Sequence, residues 1–228
     1  MKQHIEWYET VRNVNKGALL NAARGQVEGL LRRDMPRAKP AALDIVLTKA
    51  CNLRCIFCIS YGSLDKEYWM DFSLYEQVAR ELFPSALGVF FCSGGEPLLY
   101  PHIRKALRLA RDHRTRATMT SNAMLLDAQV ASWMVEDQSL QELCISFDGA
   151  TKPTLERIRR GANYERILGN IERLSEMKRR RKKRYPWLWF RFAIMKSNAE
   201  ELPDLVPICA RLGLYKIEVK YLNVTNDI

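Results

Sequence analysis

From residue 43 onward, short β-rich runs alternate with helical patterns, and that alternation limits the chain to a few architectures. The runs cover residues 43–48, 88–92, 117–121, 142–147, 188–195 and 216–222. Strand, helix, strand in repeated order builds a parallel sheet, because a crossover helix returns the chain to the end at which each strand begins. Caps and apolar spacing mark the helices. Ser73 with Glu76 reads as a capping box ahead of Val78 and Leu82, Pro101 opens a helix carrying Ile103, Leu107 and Ala110, and Asp127 precedes Val130 and Met134. Asn163 precedes Ile167, Ile171 and Leu174, and Asn198 with Glu201 precedes Leu202, Leu205 and Cys209, ending near Gly213. Six such units, with the chain ending shortly after the sixth strand, predict an α/β fold: a (βα)6 partial TIM barrel rather than a closed eight-stranded one. Ligands of parallel α/β folds gather at the carboxyl ends of the strands.

The 228 residues, 47% of them hydrophobic, suffice for one sizeable core and not for two generous domains. Residues 5–33 read as one or two helices with Leu19, Leu20, Val27, Leu30 and Leu31 as the apolar face, followed by a Pro-bounded linker. The expected division is a helical extension with linker over 1–40 and a partial-barrel domain over 41–228. No apolar stretch approaches the ~18 residues of a membrane span, and the N-terminus lacks the order of a signal peptide, so a cytoplasmic protein without a membrane span is expected. The net charge is +10, and seven cations come from one run: Lys178, Arg179, Arg180, Arg181, Lys182, Lys183 and Arg184. Such a run could grip an acidic partner, an acidic electron donor or phosphates, or it could be a solvated helix end that favours its own macrodipole.

Of six cysteines, Cys51, Cys55 and Cys58 form a CxxxCxxC directly after the first predicted strand, while Cys92, Cys144 and Cys209 stand singly among apolar residues and read as core thiols. Three thiolates on one loop with no fourth nearby do not complete a structural zinc site or an ordinary ferredoxin cluster. The histidines, His4, His102 and His113, have no ligand-like spacing, and the CxxC lacks thioredoxin-like surroundings. A cubane held by three cysteines keeps one iron open for a further ligand.

Three further elements fall at strand ends, Ser93-Gly94-Gly95-Glu96-Pro97, Thr120-Ser121-Asn122-Ala123 and Ser146-Phe147-Asp148-Gly149, and Arg159-Arg160-Gly161 lies downstream of the last. With the cysteine triad they resemble the radical S-adenosylmethionine (radical SAM) superfamily, and most closely the core domain of its SPASM/Twitch-type subfamily. The resemblance implies a [4Fe–4S] cluster on Cys51, Cys55 and Cys58, whose open iron chelates S-adenosylmethionine (SAM). It implies that Phe57 lies near the adenine, that Gly94, Gly95 and Glu96 hold the methionine ammonium, and that Ser146 contacts the ribose. Arg159, or Arg160 beside it, pairs with the methionine carboxylate, and Ile194 or Met195 lines the adenine pocket. Asn122 is a polar contact or a turn cap, with Ala123 where the family pattern has glycine, and Asp148 touches substrate or shapes its turn.

The chemistry so implied is reductive cleavage of SAM to a 5′-deoxyadenosyl radical that abstracts a substrate hydrogen. A reduced flavodoxin- or ferredoxin-type protein would supply the electron, and a peptide is one substrate class. The absence of cysteines after Cys209 departs from the subfamily's auxiliary-cluster pattern, which leaves a fragment or a single-cluster protein. A different class of reading is a non-catalytic module that binds an acidic partner or RNA through the basic run.

Overall fold

The computed structural model describes residues 15–58 and 68–221. Its centre is a six-stranded parallel sheet, curled into a half-barrel, in the order β1 (Ala42–Asp44), β3 (Gly88–Phe91), β4 (Arg116–Ser121), β5 (Glu142–Ser146), β7 (Trp187–Ile194) and β8 (Ile217–Tyr221). The expected partial barrel is therefore observed. A second, two-stranded antiparallel ribbon pairs β2 (Arg54–Cys55) with β6 (Arg159–Arg160). Two-residue strands carry no periodicity, so the sequence gives no sign of them.

Helices α2 (Phe72–Leu82), α3 (Ile103–Asp112), α4 (Ala128–Asp137), α5 (Lys152–Ile158), α6 (Tyr164–Arg180) and α7 (Leu205–Leu212) cover the outside of the sheet. The sheet alternates accordingly. Val89, Phe91, Ala117, Met119, Leu143, Ile145, Phe147, Leu188, Phe190 and Phe192 point outward into the core beneath the helices, so their neighbours in sequence face the barrel interior. The stacked pair Phe147–Phe190, with centroids 4.6 Å apart, ties β5 to β7 in that core.

Asp127 and Asn163 cap α4 and α6 as expected, accepting from Val130 N and Arg166 N. Gly213 closes α7 at φ 72°. Two caps differ. Asp71, not Ser73, caps α2, accepting from the Ser73 and Leu74 amides, because the helix begins at Phe72. Asn198 caps nothing; its amide donates to Asp148 O and Ala193 O, and its carbonyl accepts from Met195 N, so it stitches the end of β7 to the end of β5.

Before the sheet, α1 (Lys16–Leu30) is one helix, and the first part of the expected 5–33 helical segment lies outside the described residues. Its apolar side is not its packed side: Leu20 and Leu30 are 73% and 84% exposed, and Ala18 and Glu28 are the buried residues. Polar bonds anchor it instead. Asn21 exchanges hydrogen bonds with Lys39 and donates to Ser85 O, and the Glu28 carboxylate accepts from the Arg37 and Ala38 amides.

Candidate active site

The cysteine loop leaves β1 and is stitched at its base to the turn that follows β3. Gly95 N donates to Thr48 O and Glu96 N to Ala50 O, each at 2.8 Å. The two glycines serve this contact. A Cβ on Gly95 would sit 1.9 Å from Ala50 O, and Gly94, at φ +90°, would place one 2.7 Å from the Val46 side chain. The backbone approach that Gly-Gly permits is thus first of all an approach to the cysteine loop.

Glu96 is 2% exposed and organises the site. One carboxylate oxygen accepts from Ser121 Oγ at 2.8 Å and Leu98 N at 3.1 Å, and the other accepts from Asn122 N at 2.8 Å. Burial pushes its pKa up, and the bonds from Asn122, Ser121 and Leu98 act against that shift. A carboxylate has about four acceptor sites, so three donors leave room for one more cation-borne hydrogen. Asn122 closes the expected Asx turn, its Oδ1 accepting from Met124 N, while Nδ2 donates to Asn52 Oδ1 at 2.9 Å and lies 4.0 Å from Cys51 Sγ. Ala123, where the family pattern has glycine, is held at φ +58°, a left-handed conformation that costs an alanine roughly 1–2 kcal/mol.

The ribbon of β2 and β6 brings Arg159 opposite Cys55. Arg159 Nη1 lies 3.7 Å from Cys55 Sγ, Nη2 makes an ion pair with Asp148 Oδ2 at 2.6 Å, and the guanidinium sits 5.6 Å from the Phe57 ring centre. Arg159 Nε has no hydrogen-bond partner among the described residues. Burial opposes the charge of Arg159, but Asp148 and the nearby thiols more than offset it and its pKa is raised; burial raises that of Asp148. Arg160 points to solvent. Sequence reasoning placed Asp148 and Arg159 at one site without pairing them, since nothing local signals an ion pair carried by a two-residue strand.

Burial pushes the Cys51 and Cys55 thiols up, with Arg159 pulling the other way. Thiols so placed ionise when a soft metal takes the proton's place. Among the described residues no three His, Cys, Asp or Glu groups close on a single metal ion. A four-iron cubane sets its cysteine ligands further apart than one ion does, and three thiols with a buried guanidinium beside them, its Nε still without a partner among the described residues, suit that larger anionic group.

Ser146 ends β5 on the interior face, half-buried. Ile194 ends β7 and packs against the core, and Phe57 and Cys58 lie half-buried at its border. Of the expected core thiols, Cys144 and Cys209 are buried and Cys92 is half-buried. The basic run lies elsewhere. Lys178, Arg179 and Arg180 form the last turn of α6, whose C-terminal end leads into the amino end of β7, opposite the cysteine loop.

A profile described as the Radical SAM superfamily matches residues 45–205. Among curated proteins, the chain is 22% identical over 189 residues to a probable GTP 3′,8-cyclase of Methanocaldococcus jannaschii, covering 82% of this chain and 61% of that protein. It is 29% identical over 192 residues to an AdoMet-dependent heme synthase of Methanosarcina barkeri, covering 80% and 51%. Among solved structures, SuiB of Streptococcus suis bound to S-adenosylmethionine superposes with TM-score 0.72 at 21% identity, over 90% of this chain and 46% of that one. The chain thus spans roughly half to three-fifths of the length of these relatives. No helix among the described residues is long and apolar enough to cross a membrane.

Proposed function

Because this chain belongs to the radical SAM superfamily, whose members use a [4Fe–4S] cluster and SAM, we propose that it is the catalytic core of an enzyme that cleaves SAM reductively. When bound, the cluster would supply one electron to the sulfonium, so that the C5′–S bond would break to methionine and a 5′-deoxyadenosyl radical able to take a hydrogen atom from a substrate.

The chain's own residues have separable tasks. Cys51, Cys55 and Cys58 would hold three irons and leave the fourth for SAM. The acceptor site left on Glu96, together with the Gly94 and Gly95 carbonyls, suits a methionine ammonium; the Gly95 amide is already bonded to Thr48. Arg159 offers its unpartnered Nε to the methionine carboxylate, while Asp148 fixes its orientation. Ser146 is placed for the ribose hydroxyls and Phe57 for the adenine; Ile194 shares the outward register of Phe190 and Phe192, which leaves Met195, the other residue expected there, to line the pocket.

A peptide side chain is the substrate class that fits best, by analogy with SuiB, which has been captured bound to its precursor peptide SuiA. A flavodoxin- or ferredoxin-type donor would deliver the electron. The observation that carries the proposal is the stitching of the cysteine loop to Glu96 and of Cys55 to Arg159, which assembles one site from three separate strand ends. The test is anaerobic reconstitution with iron and sulfide, reduction, addition of SAM and quantification of 5′-deoxyadenosine beside the cluster's EPR spectrum. Wild-type protein is expected to release 5′-deoxyadenosine and to show a SAM-perturbed spectrum, both lost in Cys55→Ala; a well-folded wild type that assembles no cluster would overturn the reading.

A further inference from the structure

Helix packing accounts for only the outward face of the sheet. On the inward face, register places Thr120 beside Cys144 and Cys144 beside Trp189, and one rung higher Ser146 beside Arg191 and Arg191 beside Glu218. Trp189 is 4% exposed yet takes no part in the core cluster, and its indole N–H has no hydrogen-bond partner among the described residues. Native proteins seldom leave a buried donor without an acceptor, and a missing ligand is one of the usual reasons.

The charges around Trp189 indicate what that acceptor is. Lys216 Nζ lies 3.7 Å and the Arg191 guanidinium carbon 5.2 Å from the indole centre. Arg191 Nε is bonded to Glu218 at 2.9 Å, and Lys220 Nζ lies 3.8 Å from the same carboxylate. Arg191, Lys216 and Lys220 thus face a single acid on this wall. The interior acids nearest this wall are engaged by other groups: Asp148 accepts from Ala193 N and pairs with Arg159, Asp44 accepts from Ser93 Oγ on the β1 side, and Glu142 pairs with Arg116 one rung below Cys144. An excess of cations inside a low-dielectric cleft focuses an attractive field for anions.

We propose that the β7–β8 wall of the barrel interior is the substrate anchor, and that Trp189, Lys216 and Arg191 hold an anionic, acceptor-rich group there, a carboxylate or a phosphate. The inference rests on the SAM-cleaving reading, because it is Ser146, the ribose contact, that shares a rung with Arg191. Adjacent strands lie about 4.8 Å apart and successive inward residues about 6.6 Å apart. The anchor is therefore about one rung below the ribose, the span of a short side chain, which favours an acidic peptide side chain or a small acid over a bulky neutral group.

The test is calorimetric titration of the cluster-reconstituted, SAM-loaded chain with three probes: N-acetyl-glutamate amide, its uncharged glutamine isostere, and inorganic phosphate. The expected result is a preference of at least tenfold for the acid or for phosphate over the glutamine isostere, cut at least fivefold by both Trp189→Phe and Lys216→Gln. Which anion shows that preference separates a carboxylate from a phosphate ester. Lys105→Gln, on the outer face of α3, controls for net charge alone. Equal binding of acid and isostere, or a preference that survives in folded Lys216→Gln, would overturn the anchor. Wild-type chain that takes up neither cluster nor SAM defeats the cofactor reading instead, and titrating the anions into that unloaded chain still reports on the wall.

Discussion

Gly95 has almost no chemical freedom, since the atom its side chain would meet is a backbone oxygen of the cysteine loop and cannot rotate away. Gly95→Ala is accordingly expected to cost at least about 3 kcal/mol, the upper end of overpacking penalties, and to reduce iron and sulfide uptake together with stability. Urea denaturation and metal analysis of one preparation check both; a variant of wild-type stability that loads iron normally would contradict the stitched-loop geometry. At this scale the sequence was most legible where the signal is local. The cysteine spacing, Gly94-Gly95-Glu96 and Ser146-Phe147-Asp148 could all be read, and the structure brings them to one end of the sheet. The bonds that turn them into a site could not. Asn122 reaches Asn52 across 70 positions, and Arg159 meets Cys55 across 104; no periodicity encodes a contact of that separation.

Among the elements, α3 and α4 are joined by one acid between two bases. Asp137 accepts two hydrogen bonds each from Arg104 and Arg108, at 2.7–3.1 Å. Burial works to raise its pKa, but the hydrogen bonds and charges of the two arginines prevail and hold it at about 2. A carboxyl whose folded pKa is depressed stabilises the fold at pH values above its unfolded pKa, ~3.9, and loses that contribution as pH falls toward about 2. Both arginines are more than a third exposed, so the contribution is discounted to about 1–2 kcal/mol. The wild type is therefore expected to lose its advantage over Asp137→Asn between pH 4 and pH 2, read from paired denaturation curves; a difference constant over that window would assign the stability to packing. Helix starts were legible when the cap stood directly before the apolar pattern, as at Asp127 and Asn163. At α2 the Ser73 and Glu76 pair imitated a box just inside the true start at Asp71. At α1 an apolar stripe was read as a packed face, whereas polar bonds from Asn21 and Glu28 fix the helix.

For the whole molecule, the parallel topology separates two functions that composition alone would merge. The cysteine loop lies at the carboxyl ends of the strands and the basic run at their amino ends, with the eight residues of β7, about 26 Å, between them. Neutralising Lys182 and Lys183 together is expected to leave flavodoxin-driven SAM cleavage within about twofold of wild type at low salt, where surface charges act most strongly. A drop of tenfold or more would place the electron donor on that run. The alternation of the strands carries a different consequence, one of inheritance. Every inward residue of β7 has an outward neighbour, so deleting one codon in the first half of that strand would carry Phe190 and Phe192 inward and Arg191 outward in a single event. Point substitutions change one member of the lining at a time, whereas a frame-preserving deletion exchanges the whole set. Over generations, descendants of this chain should differ in the identity of residues along β7 long before they differ in its length.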